Sequence, residues 1–161
     1  MANDTHGATG QGWYGFDLDG TLAVYDRWRG IDHIGPPIRR MTKLVEQMHK
    51  AGLRVKILTA RVSPRPEPET KPNPYRENNW CIESPSDMPW ALDPKPWTAR
   101  EFIQDWCWRC LGFVPEITHE KDYLMLNLFD DRVVQVEPNT GCVLGRVPDE
   151  LMDSWRAADG R

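Results

Sequence analysis

No stretch of this 161-residue chain is apolar enough, at the ~20 residues required, to cross a membrane as a helix. No run of Lys and Arg is dense enough to form a nucleic-acid patch or a basic membrane-surface helix, and the formal charge is only −4. The opening MANDTHGATGQG is polar, unlike the apolar core of a signal peptide. Cysteine is scarce: Cys81, Cys107, Cys110 and Cys142. The C-W-R-C spacing of Cys107 and Cys110 would suit a zinc knuckle, but no second ligand pair accompanies it, and both fall on a predicted helix beside Trp106 and Leu111. They are read as buried or half-buried free thiols. Internal repeats are also lacking. Together these absences point to a cytoplasmic protein with no membrane partner, a polar, disordered tail over 1–12, and one domain over 13–161 whose 40% hydrophobic residues can build a sizeable core.

What is present alternates. WYGF ends in Asp17 and predicts a strand over 13–17. Pro36 and Pro37 open a helix in which Ile38, Met41, Leu44, Val45 and Met48 recur at helical spacing, and Gly52 ends it. A strand follows over Arg54–Thr59, giving a β-α-β unit with parallel strands. From Ser63 to about Pro96 the chain is rich in proline and has no defensible period. Thr98 and Glu101 then form a capping box ahead of a helix that ends near Gly112. A short strand holds Ile117, an apolar run Leu124–Phe129 ends in Asp130-Asp131, and Val133–Glu137 predicts a last strand before the turn at 138–141. A weak helix covers Pro148–Trp155. This order predicts an α/β fold: a Rossmann-like three-layer sandwich, with a central parallel sheet, helices on both faces, and a long irregular insertion at 62–97 after the second strand.

In such sheets the sites lie at the carboxyl ends of the strands. Asp17 and Asp19 stand there after the first strand, Thr59 after the second, and Asp130 with Asp131 after a later one, preceded by Lys121. Two carboxylates two residues apart start on one face of a strand and repel, which calls for a cation, a shared proton or a solvated turn. Arg61 and Arg132 follow their motifs directly and are either phosphate-side or salt-bridged.

The order FDLDGTL, ILTAR, a Lys, then FDDR resembles the haloacid dehalogenase-like superfamily, and within it the small phage- and bacterial-type members without a large cap. The resemblance runs from about Tyr14 to Val136. Only nine positions separate Lys121 from Asp130, fewer than in many members. What it implies is a magnesium-dependent phosphomonoester hydrolase. Asp17 is then the nucleophile that forms an aspartyl-phosphate, and Asp19 the general acid and base. Thr59 and Lys121 hold the phosphoryl oxygens, with Ala60 and Arg61 beside them at the substrate. Asp17, Asp19 (through its carbonyl), Asp130 and Asp131 hold Mg²⁺. Between the last two, an extended chain would turn Asp130 rather than Asp131 to the ion. A nucleotide, a nucleic-acid 3′-phosphate and a sugar phosphate all fit this reading as substrates. The alternative is a catalytically idle relative that binds a phosphorylated ligand or a protein partner. The insertion is a candidate lid, in which Trp80, Trp90 and Trp97 either stack on a substrate or pin the segment to the domain.

Overall fold

The computed structural model describes residues 12–77, 88–92 and 94–159. The chain divides into two compact units, residues 1–130 and 131–161.

The first unit is built on a four-stranded, all-parallel sheet. β1 (Trp13–Phe16) pairs with β2 (Arg54–Leu58) on one side and with β4 (Met125–Phe129) on the other, while β3 (Glu116–Thr118) lies outside β2, giving the order β3-β2-β1-β4. The register sets Phe16 beside Ile57 and Phe129, and the Phe16 and Phe129 rings stack at 4.5 Å. The crossover between β1 and β2 carries α1 (Arg39–Lys50), and that between β2 and β3 carries α4 (Ala99–Leu111).

Side chains of a strand alternate between faces, and one face collects the core. Phe16, Val55, Ile57 and Ile117 pack there against Val45 of α1 and against Ile103, Trp106, Cys107 and Leu111 of α4. Each fully buried aliphatic or aromatic residue in this cluster adds ~1.5–3 kcal/mol of hydrophobic stabilisation. Met41, Leu44 and Met48 flank it, as their helical spacing predicts. The expected capping box is present: Glu101 accepts from the Thr98 backbone N–H (2.7 Å), and Thr98 caps the first turn of α4. Gly112 closes this helix at φ +78°, a left-handed conformation that favours glycine, donating its N–H to the Trp108 carbonyl at 3.0 Å.

Both long helices lie on the same face, which departs from the three-layer expectation. Two right-handed crossovers stepping the same way, from β1 to β2 to β3, must put their helices on one side. The return from β3 to β4 runs the other way, and residues 119–124 make it without a helix. This link packs over Trp13 and Lys56 on the opposite face: Trp13 Nε1 donates to Asp122 at 2.7 Å, and the Trp13 N–H donates to the Leu124 carbonyl at 2.9 Å.

The 62–97 insertion is less irregular than its composition suggests. Two single-turn helices, α2 (Pro74–Glu77) and α3 (Pro89–Leu92), lie within it, and Lys71 and Trp97 exchange backbone hydrogen bonds of 2.9 and 2.7 Å. Residues 78–87, with Trp80 and Cys81, and residue 93 lie outside the described residues.

In the second unit, β5 (Gln135–Val136) and β6 (Val143–Leu144) form an antiparallel hairpin around a turn with Asn139 and Gly141 at positive φ. The strand expected over 133–137 shortens to the two residues that β6 can pair. A 3-10 turn at Asp149–Leu151 leads into α5 (Met152–Asp159).

Candidate active site

The ladder of β1 continues one residue past its end: the Asp17 N–H donates to the Phe129 carbonyl at 2.9 Å. Asp17 and Asp130 therefore leave adjacent strands side by side. On the β2 side, the Thr59 N–H donates to Thr118 at 2.9 Å. The chain steps from β1 to β2 in one direction, and β4 joins β1 from the other. The carboxyl ends of β1 and β4 thus flank a topological switch point, where parallel sheets open a crevice.

Asp17, Asp130 and Asp131 meet there, each offering a carboxylate oxygen, with all three oxygens within 4.8 Å of one another. Asp17 and Asp130 are half-buried and Asp131 is exposed. Asp131 takes part because the chain leaves β4 in a turn at 131–132 rather than continuing extended, which brings consecutive side chains to one place. All three donors are hard oxygens, the kind Mg²⁺ selects. Opposite ligands of an octahedral ion with ~2.1 Å bonds lie ~4.2 Å apart, so only a small contraction lets these oxygens share one ion. Asp131 also has the exposed Arg132 guanidinium at 3.9 Å.

Asp19 is not in this group. Its carboxylate turns to Arg61, which donates from Nε to Oδ2 at 2.6 Å and from NH2 to Oδ1 at 2.7 Å, a bidentate pair. The Arg61 side chain is only 4% exposed. It also donates to the carbonyls of His33 (3.0 Å) and Gly30 (3.5 Å) and lies 4.8 Å from the centre of the Trp28 ring. Of the two readings of Arg61, the salt-bridged one describes its contacts. The turn that frees Asp19 needs Gly20, whose φ is +93° and whose N–H donates to Ala23 at 2.8 Å. Next to it, the hydroxyl of buried Thr21 has no hydrogen-bond partner among the described residues. Trp28 and the two carbonyls of the 24–35 loop escaped sequence reasoning. No local pattern marks a carbonyl that will receive a guanidinium from 28 or 31 residues away.

Thr59 is 3% exposed and its Oγ1 accepts the Arg61 N–H at 3.3 Å, so its own O–H proton is left to donate. Ala60 is exposed at the start of the turn Ala60–Val62. Lys121 is exposed in the 119–124 link, and its ammonium enters no ion pair among the described residues. Lys56, mid-strand, has its own partners: Glu116 at 2.8 Å, Asp122 at 3.5 Å and the Trp13 ring at 4.5 Å. The Lys56 ammonium, followed by Arg54, holds Glu116 below the usual carboxylate range against a smaller opposing effect of burial. The Trp13 N–H does the same for Asp122, helped by the Leu124 N–H and Lys56.

The tryptophans described in the insertion pack. Trp97 is 1% exposed, edge-on to Phe102 at 5.1 Å and tilted against Tyr75 at 5.7 Å, and Trp90 meets Trp108 of α4 at 6.4 Å. Asn73 donates to the Ala91 carbonyl at 3.1 Å, and the Tyr75 hydroxyl to Asp105 of α4. Burial and this bond raise the Tyr75 pKa far above its ordinary value. Cys107, pushed up strongly by burial, and Cys110, also raised by burial, are free thiols, as expected from their place on a helix with no second ligand pair. Among the described residues no helix is long and apolar enough to cross a membrane. Comparison with family models, curated proteins and solved structures finds no match to this chain.

Proposed function

We propose that this protein is a magnesium-dependent phosphomonoester hydrolase of the haloacid dehalogenase type, on a Rossmann-like sheet, working through an aspartyl-phosphate at Asp17. The observation that carries the reading is the meeting of Asp17 with Asp130 and Asp131 at the switch point between β1 and β4.

Asp17 Oδ attacks phosphorus in line with the ester oxygen, forming the Asp17–O–P bond as the P–O bond to the alcohol breaks. Asp19 gives a proton to the departing alkoxide and then takes one from the water that attacks the aspartyl-phosphate, returning Asp17 and releasing phosphate. To do so, Asp19 must withdraw one carboxylate oxygen from Arg61, since both now accept from it. The Thr59 hydroxyl donates to a phosphoryl oxygen, Ala60 and Arg61 border the substrate, and Lys121 offsets the negative charge. Asp17, the Asp19 carbonyl, Asp130 and Asp131 would hold Mg²⁺, which when bound supplies positive charge against the phosphoryl oxygens.

Hydrolysis of an aryl phosphate tests this. Turnover in Mg²⁺ that vanishes in EDTA and in Asp17→Asn supports the reading, and EDTA-resistant turnover overturns it. The clamping of Asp19 by Arg61 favours a second reading: a protein that binds a phosphorylated ligand without turning it over. Saturable phosphate-ester binding with no product distinguishes it.

A further inference from the structure

Arg61, buried against Asp19, also borders a second place in the fold. Between the 24–35 loop, the first part of the insertion and the start of α4 lies a cleft of ≈ 160 Å³. Arg61, Arg65 and Arg100 line it, with Ile31 and Pro68 as apolar wall and Glu69 as its one carboxylate. The charge of Arg61 is offset by Asp19, and Glu69 has Lys71 at 4.0 Å. Arg65 and Arg100 stand in no ion pair among the described residues. Arg100 is oriented nonetheless, since its NH1 donates to the Ile117 carbonyl at 3.0 Å while its other N–H groups stay available. A positive recess with planar guanidinium donors suits a tetrahedral oxyanion, which Arg binds bidentately. The volume is below the ~300 Å³ at which whole-ligand sites begin, so the recess fits one group of a larger molecule.

We propose that this cleft is a phosphate subsite. It takes the second phosphate of a substrate that carries two, while the first is attacked at Asp17. This rests on the phosphomonoesterase reading, and Arg61 links the two places: its guanidinium grips Asp19 and its side chain lines the cleft. The substrate class is therefore a bisphosphorylated compound of small size rather than a simple monoester.

The test compares two probe pairs on the full chain in Mg²⁺: adenosine 3′-monophosphate against adenosine 3′,5′-bisphosphate, and fructose 1-phosphate against fructose 1,6-bisphosphate. In wild type at least one bisphosphate exceeds its monophosphate in kcat/KM by about tenfold, the worth of two exposed charge-assisted contacts. In Arg65→Ala/Arg100→Ala that ratio falls to near one, with the monophosphate rate unchanged. Arg65→Gln, at an exposed position that leaves α4 undisturbed, removes part of the gain. A ratio near one in wild type, or one that survives both variants, overturns the subsite. If none of the four is hydrolysed, aryl phosphate turnover still decides the proposed function, and calorimetric binding of the same compounds in Mg²⁺ reads the subsite alone. Tighter binding of a bisphosphate that the double variant loses supports the cleft. Equal binding, or none, overturns it.

Discussion

The Arg61–Asp19 pair is the feature whose removal should be felt most. Its contacts are 2.6 and 2.7 Å, and the side chains are 4% and 17% exposed. Deleting one partner of a buried pair costs ~3–5 kcal/mol because the other charge is left unpaired, and the partial exposure of Asp19 places Arg61→Met at the lower end, ~3 kcal/mol. Asp19→Asn keeps a hydrogen-bond acceptor, and Arg61 retains the carbonyls of His33 and Gly30, so its loss should be ~1.5–2 kcal/mol. Once one partner is gone the second removal adds little, so the double variant should lose ~3 kcal/mol and the coupling should be ~2 kcal/mol. Urea unfolding at pH 7, followed by tryptophan fluorescence, measures all four proteins. A coupling below ~0.5 kcal/mol, the value of an exposed ion pair, would refute the claim that this clamp is a buried structural unit.

Three further outcomes follow from other parts of the molecule. Changing both Asp130 and Asp131 to Ala should remove Mg²⁺ binding measured by isothermal titration, and undiminished affinity would end their assignment as ligands. Glu116 and Asp122 have folded-state pKa values below their ordinary ones, so the stability they contribute is present above the unfolded value of ~4 and lost as pH falls through the lowered folded values. Lys56→Met should therefore flatten the fall in urea midpoint below about pH 4, and an unchanged acid limb would show that the Lys56 network does not drive it. Trp97→Ala should cost ~3–5 kcal/mol, since the ring is buried between Tyr75 and Phe102, and a loss under ~1 kcal/mol would mean the insertion is not anchored there.

Local physics made much of this fold legible in the sequence. The Thr98–Glu101 capping box and Gly112 bound α4 through interactions within a few residues, and the helical spacing of Met41, Leu44, Val45 and Met48 marks the buried face of α1. Asp17 and Asp130 were identifiable because each ends an apolar run, and parallel pairing aligns run ends. Long-range geometry was not legible. Asp19 and Arg61 are 42 residues apart, so nothing local turns the second carboxylate of the DLD motif away from the first. Asp131 joins Asp17 through a turn, where extended-chain alternation no longer holds. Nor does the pattern of strands and helices fix the strand order, which decides that α1 and α4 share a face.

The proposed mechanism requires that Asp17 become covalently phosphorylated during turnover. Acid-quenching the protein during turnover of an aryl phosphate in Mg²⁺, reducing with borohydride and mapping peptides by mass spectrometry tests this directly, because borohydride converts an aspartyl-phosphate to homoserine. Homoserine is expected at Asp17, absent without substrate and absent in EDTA. Turnover with an unmodified Asp17, or modification at Asp130 or Asp131 instead, would contradict it.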